Sequence, residues 1–297
     1  MSGKPNSIYR SPWLYDTEPF LIADNVYYVG NTSVSSHLFD TGEGLLLLDT
    51  GYSQAAYLLL ESIRILGFDP KDIRWIVHTH GHYDHFGATR MLQEKYGART
   101  YLPAADLPMM DVKSELNYCQ YSGFPYEPPY DIWFSVDELI HPGDTIRFGN
   151  TTMHAYAAPG HTPGTMAYVF DLPSGHKAVM HGGIGLNTLT SAYTKQFGLG
   201  NEWREAYIHS LDSLLGLEAD IVLGNHPKQT DTFGKQVRKT PEHNPFIDPT
   251  EWKRFIMETK QKYYKMVEKD PSDPQSPLAN ARGLFVTWRF RWLPGGF

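Results

Sequence analysis

Residues 78–85 read His-Thr-His-Gly-His-Tyr-Asp-His, and four of these side chains have the types and spacing of metal ligands: His80, His82, Asp84 and His85. His80 and His82 alternate, so both imidazoles can reach one metal ion from an extended or tightly turned segment. Asp84 and His85 then point at a second position beside it. Imidazole and carboxylate are ligands that zinc favours. The octet is therefore predicted to be the core of a dinuclear metal site.

The alternative to a metal site is a set of structural histidines. A lone histidine in a turn is usually solvated or part of the core, and we prefer that interpretation for His78. The cluster is different, because four ligand-type residues within six positions gain nothing from proximity unless a metal binds them. They would also crowd like charges together below neutral pH. For the cluster, metal binding is the preferred interpretation.

Two later histidines, His161 and His226, each follow an apolar run and lie within a Gly/Pro turn. Adding His161 to the alternating pair of the octet gives the first ion three imidazoles. Adding His226 to Asp84 and His85 gives the second ion two imidazoles and a carboxylate. Each ion keeps an open position for solvent, which is typical of a catalytic site. His181 also lies near such a turn, but it is not preferred as a ligand.

The composition limits the classes of protein to which this chain can belong. It has 297 residues, of which 41% are hydrophobic, enough for one large domain or two small ones. The net charge of −7 and the lack of a basic run argue against nucleic acid as a partner. Because Cys119 is the only cysteine, an internal disulfide and a thiolate-rich zinc cluster are both excluded.

The sequence contains no evident targeting or membrane segment. The first ten residues lack the apolar stretch of a signal peptide, and no run approaches 18 uninterrupted apolar residues. We therefore expect a soluble cytoplasmic protein that does not insert into a membrane. A processed chain would instead be periplasmic or secreted.

Apolar runs typical of strands alternate with helical periods along the chain. Leu45–Leu48 has the pattern of a strand buried on both faces, which requires layers above and below it. Helices are predicted over Ser53–Leu66 and Phe86–Tyr96, and each precedes a glycine. Arg74–Val77 is a β run that leads directly into the octet. This alternation predicts a layered α/β fold, with the octet on the loop after a strand.

Two segments have no regular period. Residues 118–134 interleave aromatic side chains with proline and glycine, a pattern that fits either a loop packed on the domain or a lid over the active site. The tail from about 270 to 297 is rich in Pro, Ser and Asn before a final aromatic run. We expect this tail to dock on the surface or to form a contact in a homo-oligomer. Residues 1–297 are predicted to form one domain, with its core at about 20–268.

The arrangement of four motifs resembles that of the metallo-β-lactamase superfamily of hydrolases. In chain order they are Leu48-Asp49-Thr50-Gly51, Thr79-His80-Gly81-His82-Tyr83-Asp84-His85, Pro159-Gly160-His161-Thr162-Pro163-Gly164 and Gly224-Asn225-His226-Pro227. The resemblance extends from residue 20 to about residue 230. It implies a four-layer αβ/βα sandwich with two Zn²⁺ ions at the edge where the two sheets meet.

The resemblance also assigns roles to individual residues. It implies that the first zinc is held by His80, His82 and His161, and the second by Asp84, His85 and His226. It further implies that Asp49 orients the ligand loop, a support that metal sites generally require.

Within the superfamily, the chain most resembles the class B, subclass three (B3) metallo-β-lactamases. Those enzymes use only His and Asp ligands, with Gly-His-Thr-Pro-Gly and a late His-Pro. Glyoxalase II and many relatives instead have a bridging aspartate, at a position where we place Gly183, so no carboxylate bridge is expected here. B3 enzymes often have serines in this segment; Gly183 and Gly185 lack hydroxyl groups, although Asn187 is a candidate substitute.

These features predict a zinc-dependent hydrolase that opens a cyclic amide (β-lactam) or a related ester in a small-molecule substrate. The nucleophile would be a hydroxide shared by the two ions, because zinc lowers the pKa of its bound water to about 7. Asp84 would hold the nucleophile in line and pass a proton to the leaving group. The candidate substrate contacts are, for an apolar body, Tyr121, Phe124 and Trp133, and, for an anionic end, Asn187 and Lys228.

Three other functions remain open. The first is a lactonase or thioesterase that acts on a metabolite with the same dinuclear site. The second is a di-iron oxidoreductase, which would normally require the bridging carboxylate that Gly183 does not supply. The third is a non-enzymatic binding protein on an inactive scaffold. The complete ligand set argues against that, because such scaffolds commonly lose ligands.

Overall fold

The structure, a computed structural model, describes residues 7–111 and 129–271. Its first β-sheet has seven strands in chain order: β1 (Phe20–Ala23), β2 (Val26–Tyr28), β3 (His37–Asp40), β4 (Leu45–Leu48), β5 (Ile73–Val77), β6 (Arg99–Pro103) and β7 (Glu138–Ile140). Neighbouring strands are antiparallel from β1 to β4 and parallel from β4 to β7. The metal octet follows the parallel strand β5.

The second sheet has five strands in the spatial order β12-β11-β10-β9-β8: β8 (Thr145–Phe148), β9 (Thr151–Ala157), β10 (Met166–Asp171), β11 (Lys177–His181) and β12 (Ile221–Gly224). Only the β11–β12 pair is parallel. The two later histidine turns therefore follow strands of this second sheet.

Seven α-helices are described: α1 (Ala56–Ile65), α2 (Tyr83–Phe86), α3 (Thr89–Tyr96), α4 (Ser191–Gln196), α5 (Asn201–Leu214), α6 (Thr232–Arg238) and α7 (Glu251–Lys269). Within the part of the chain that the structure describes, no helix has both the length and the apolar character needed to cross a bilayer.

The strand Leu45–Leu48 is buried on both faces, as its sequence predicts. Leu46 and Leu48 belong to the central core between the two sheets, whereas Leu45 and Leu47 belong to the core beneath α1 and α3. Successive side chains of a strand point to opposite faces, so a run of four leucines serves two cores at once.

The outer face of the second sheet is likewise buried beneath helices. Val169, Val179 and Val222 pack there against α5 and α7. The indole N–H of Trp252 on α7 donates to the carbonyl oxygen of Leu214 at 2.8 Å. Helices therefore cover both outer faces of the paired sheets, and the predicted αβ/βα sandwich is confirmed.

Two predicted helices begin later than expected. Ser53–Ala55 forms a 3₁₀ turn before α1, and the helix predicted over Phe86–Tyr96 begins only at Thr89. The interruption lies at Gly87, whose backbone N–H donates to the carbonyl oxygen of Gly51 at 2.8 Å. As a result, Asp84 and His85 lie on the separate helical turn α2, which local periodicity does not reveal.

The two irregular segments are only partly described. Residues 118–128 and the tail from residue 272 lie outside the described ranges. Of the rest of the aromatic segment, Trp133 and Phe134 pack against Phe86, with ring centroids 5.5 and 5.7 Å away.

Gly87 provides a test of how the ligand loop is held. A Cβ atom at this position would lie 2.4 Å from the backbone nitrogen of Ser53, so Gly87→Ala must displace backbone. We expect it to lower the free energy of unfolding in urea by about 1–3 kcal/mol, the usual cost of overpacking. Gly216→Ala is the matched control, because its Cβ would meet nothing within 4 Å. Equal stability of the two variants would contradict the close packing described here.

Candidate metal centre

The candidate ligands all lie at strand ends on one edge of the sandwich. His80 and His82 follow β5 and Asp84 and His85 lie on α2, while the other two histidines follow β9 and β12. Hydrogen bonds join the loops of the two sheets. The Met166 N–H donates to the Thr79 carbonyl oxygen at 3.1 Å, and the Ser35 N–H donates to the Asn225 carbonyl oxygen at 3.0 Å. This edge joins chain segments that are distant in sequence.

The six side chains form two groups of three, and within each group the ligand atoms lie within 4.8 Å of one another. The first group is His80, His82 and His161; the second is Asp84, His85 and His226.

The first group is compact. The Nδ1 atom of His82 lies 3.1 Å from Nε2 of His80 and 3.1 Å from Nε2 of His161. All three residues are buried. Three imidazole nitrogens therefore point toward one small volume.

The second group is centred on the carboxylate of Asp84. Its Oδ2 atom lies 3.7 Å from Nε2 of His85 and 3.8 Å from Nε2 of His226. The His226 side chain is 34% exposed, so the centre opens toward solvent on its side. The two groups are neighbours, since the ring centroids of His80 and His85 are only 4.3 Å apart.

Four of the five imidazoles are oriented through Nδ1 by protein acceptors. The pairs are His80 with Thr79 Oγ1 (3.0 Å), His85 with Asp49 Oδ2 (2.8 Å), His161 with the Gly185 carbonyl oxygen (3.0 Å) and His226 with the Ser33 carbonyl oxygen (2.8 Å). The Thr79 hydroxyl itself donates to Asp49, so it accepts from His80. We infer from these acceptors that Nδ1 carries the proton and Nε2 the lone pair.

This arrangement fits a bound cation. Lone pairs that face one another at 3.1 Å repel unless a metal ion or protons lie between them. The buried Nε2 atom of His85 also has no hydrogen-bond partner within the described ranges. A buried polar atom without a partner is costly, and a metal bond would remove that cost. Nitrogen and carboxylate donors with fixed tautomers are a suitable set for zinc.

The surroundings keep most of these imidazoles neutral at pH 7, as ligands must be. Burial lowers the pKa of His80 and His82 well below the ordinary imidazole value, and neighbouring imidazoles lower it further. Burial also lowers the pKa of His161 to about 4. For His85, burial acts in the same direction, but the charges of Asp84 and Asp49 outweigh it and raise the pKa.

Asp49 lies beneath the ligand loop. Its carboxylate accepts hydrogen bonds from the Thr79 N–H, the Thr79 hydroxyl and His85 Nδ1, all at 2.8 Å. Its backbone has φ = +59°, a left-handed conformation that is uncommon outside glycine but tolerated by Asp and Asn. The residue therefore turns the chain after β4 and orients a candidate ligand.

Gly183 and Gly185 lie against the ring of His161. A Cβ atom at residue 183 would be 2.5 Å from Cδ2 of His161, and one at residue 185 would be 2.7 Å from Cε1. There is no room for a carboxylate at Gly183 while His161 holds this position. The Oδ1 atom of Asn187 would be 2.8 Å from a Cβ at residue 185, so this amide lies beside the same ring.

The other candidate substrate contacts are less directly placed. Lys228 is exposed and lies two residues after His226, in a 3₁₀ turn. Trp133 packs in a hydrophobic cluster with Phe86, and no described contact joins it to a candidate ligand. Tyr121 and Phe124 lie outside the described ranges.

Two further histidines do not join either group. Both nitrogens of His78 have partners, the Tyr101 carbonyl oxygen at 2.7 Å and Thr89 Oγ1 at 2.8 Å, which fits the structural interpretation. His181 accepts a hydrogen bond at Nδ1 from the Gly183 N–H at 3.2 Å.

Sequence reasoning missed Asp106, a fully buried carboxylate in the 3₁₀ turn Ala104–Met110 after β6. Burial raises its pKa to about 6, although hydrogen bonds from Thr162, Gly81 and Gly164 act in the opposite direction. The only signal in the sequence was an aspartate soon after a predicted strand; Asp106 is the third residue after β6, whereas Asp49 directly follows β4.

Comparison with known proteins agrees with the fold. Residues 29–174 match the Metallo-beta-lactamase superfamily. A metallo-beta-lactamase mutant from Cronobacter sakazakii aligns with a TM-score of 0.76 and 27% identity, over 85% of this chain and 98% of that one. BJP-1, a subclass B3 metallo-beta-lactamase of Bradyrhizobium japonicum, aligns with a TM-score of 0.74 and 26% identity, over 89% and 98%.

Among curated relatives, a ribonuclease of Thermus thermophilus is 29% identical over 157 residues, which is 51% of this chain and 35% of that protein. Two further relatives are likewise matched over less than half of their own length. The resemblance drawn from the four motifs is confirmed at the level of the superfamily, whose members do not share one substrate.

The hydrogen bond from His85 to Asp49 can be tested with Asp49→Asn. Because Asn also tolerates the left-handed backbone, the variant changes the acceptor more than the turn. We expect metal affinity of the second group to fall by about 10–100-fold, the usual effect of removing such a support. Competition with a chromophoric chelator measures it. Asp72→Asn, an exposed charge change, is the control; an unchanged affinity in Asp49→Asn would show that Asp49 does not orient His85.

Proposed function

Because the chain contains a metallo-β-lactamase superfamily domain, we propose that it is a zinc-dependent hydrolase that opens the cyclic amide of a β-lactam or a related ester. The observation that carries the proposal is the convergence of six ligand-type side chains in two adjacent groups of three. Two Zn²⁺ ions bound there would supply an acidified water as nucleophile and would polarise the carbonyl group of the substrate.

The residues of the chain have separate tasks in this proposal. His80, His82 and His161 would hold one ion, and Asp84, His85 and His226 the other. The Asp84 side chain is 11% exposed, so its carboxylate can also reach solvent. We assign it the task of orienting the attacking water and passing a proton to the leaving group.

The substrate class is proposed from the solved neighbours. The chain aligns with almost the whole of two β-lactamase structures, which supports a cyclic amide as the scissile group. A lactonase or thioesterase is the second candidate, because Gly183 and Gly185 provide no hydroxyl groups beside His161. Asn187 and Lys228 remain the proposed contacts for an anionic end of the substrate.

We propose that nucleic acid is not the substrate, although one relative is a ribonuclease. The net charge of −7 disfavours a polyanion, whose binding depends on lysine and arginine. A di-iron oxidoreductase is disfavoured by the lack of space for a bridging carboxylate at Gly183.

Hydrolysis of a chromogenic cephalosporin, with and without chelator, tests the proposed activity. We expect Asp84→Asn to lower kcat by about 10²–10⁴-fold, because it removes the proton carrier. His82→Ala should lose most turnover because it removes a ligand of the first ion. His209→Ala, an exposed histidine on α5, is the matched control and should retain activity.

Full activity of both Asp84→Asn and His82→Ala would contradict the assigned roles. A panel of penicillins, carbapenems, acyl-homoserine lactones, thioesters and single-stranded RNA then separates the candidate substrates. Turnover of lactones or thioesters without any β-lactam would favour the second candidate function.

Metal identity is tested by elemental mass spectrometry of the purified protein. We expect about two zinc ions per chain, because the donors are imidazole nitrogen and carboxylate oxygen. Dialysis against chelator should remove both zinc and activity, and added Zn²⁺ should restore them. Iron in place of zinc would contradict the hydrolase proposal and favour the oxidoreductase.

A further inference from the structure

Asp106 is a fully buried carboxylate that joins two ligand-bearing segments. Its Oδ2 atom accepts hydrogen bonds from the Gly81 N–H at 2.7 Å and the Thr162 hydroxyl at 2.6 Å. Its Oδ1 atom accepts from the Gly164 N–H at 2.6 Å. Hydrogen bonds to an ionised acceptor are short and strong, so these contacts hold the two segments firmly.

The donors adjoin the ligands of the first group. Gly81 lies between His80 and His82, and Thr162 follows His161 directly. One side chain therefore fixes the backbone beside all three histidines of that group. In the described residues no hydrogen bond joins Asp106 to the histidine rings themselves, so it acts through the backbone.

The close approach of Asp106 depends on glycine at two positions. A Cβ atom at Gly164 would lie 2.7 Å from Cγ of Asp106, and one at Gly81 would lie 3.1 Å from its Cβ. A side chain at Gly164 would push the carboxylate away from its donors, and one at Gly81 would crowd the Asp106 side chain. Gly81 and Gly164, one from each ligand motif, thus both leave room for the Asp106 side chain.

The hydrogen-bond directions favour a carboxylate over an amide. The Thr162 N–H donates to Thr165 Oγ1 at 2.9 Å, and the Thr165 hydroxyl is then free to donate to Thr162 Oγ1 at 2.8 Å. The Thr162 hydroxyl proton is consequently directed at Asp106. Hydrogen-bond donors approach both carboxylate oxygens of Asp106. An amide here would turn its N–H₂ group toward at least one of these donors, and two donors cannot bond to each other.

We propose that Asp106 is the positioning residue of the three-histidine group, as Asp49 is for His85. This inference rests on the proposed function, since it takes the group to be a metal site. The two aspartates support the centre from different segments: Asp106 sets the spacing of the first group, whereas Asp49 orients His85 directly and His80 through Thr79.

The test is a two-site metal titration of Asp106→Asn with Co²⁺ and Zn²⁺. His161→Ala and His226→Ala, each lacking one ligand of one group, identify the Co²⁺ absorption bands that belong to each site. We expect Asp106→Asn to lower the affinity of the first site by about 10–100-fold. The affinity of the second site should fall by less than that of the first, because the donors to Asp106 adjoin only ligands of the first group.

A second pair of variants keeps the carboxylate in place. Thr162→Val removes one donor to Asp106 and should weaken the first site in the same direction by less, whereas Thr162→Ser keeps the hydroxyl and should restore the wild-type affinity. Glu251→Gln controls for lost stability, because it breaks the buried ion pair with Lys235 and has no described contact with a candidate ligand. It should leave both metal affinities unchanged. If Asp106→Asn does not fold, the metal affinities of Thr162→Val and Thr162→Ser test the positioning role instead.

The outcomes separate the two proposals. Wild-type affinity at the first site in Asp106→Asn or in Thr162→Val would overturn the positioning role, as would equal weakening of both sites. If the wild-type chain itself binds no metal at either site, the proposed function fails instead.

Discussion

The site depends on the convergence of three buried imidazoles: Nδ1 of His82 lies 3.1 Å from Nε2 of His80 and 3.1 Å from Nε2 of His161. Burying several imidazoles together is costly unless their polar atoms find partners. Each segment that carries one of these histidines is held in place by hydrogen bonds and close backbone packing. A cation placed among these nitrogens would give each of them a bonding partner.

That support is built from few residues. Asp49, in a left-handed conformation, accepts three hydrogen bonds below the octet. Asp106 accepts three more between the octet and the His161 turn. Glycines at 87, 164 and 183 let backbone or rings approach closer than a Cβ atom would allow. The ligand motifs are therefore packing motifs as well as chemical ones.

The sandwich provides the place where these parts can meet. Leu45–Leu48 supplies side chains to two cores and ends directly at Asp49. Strands of both sheets end at the same edge, so loops from distant parts of the chain bond across it. The centre opens at His226, the most exposed of the candidate ligands.

The sequence by itself determined the six ligand-type residues, the doubly buried strand and the layered fold class, because ligand chemistry and strand periodicity are local properties. It did not reveal the break at Gly87, the helical turn that carries Asp84 and His85, or the strands β1 and β7. Only the tertiary structure decided that His78 is bonded on both sides while His161 joins His80 and His82. Asp106 was visible only there too, because its importance comes from donors on two other segments. Local patterns identify what a residue can do, whereas folding decides which neighbours it has.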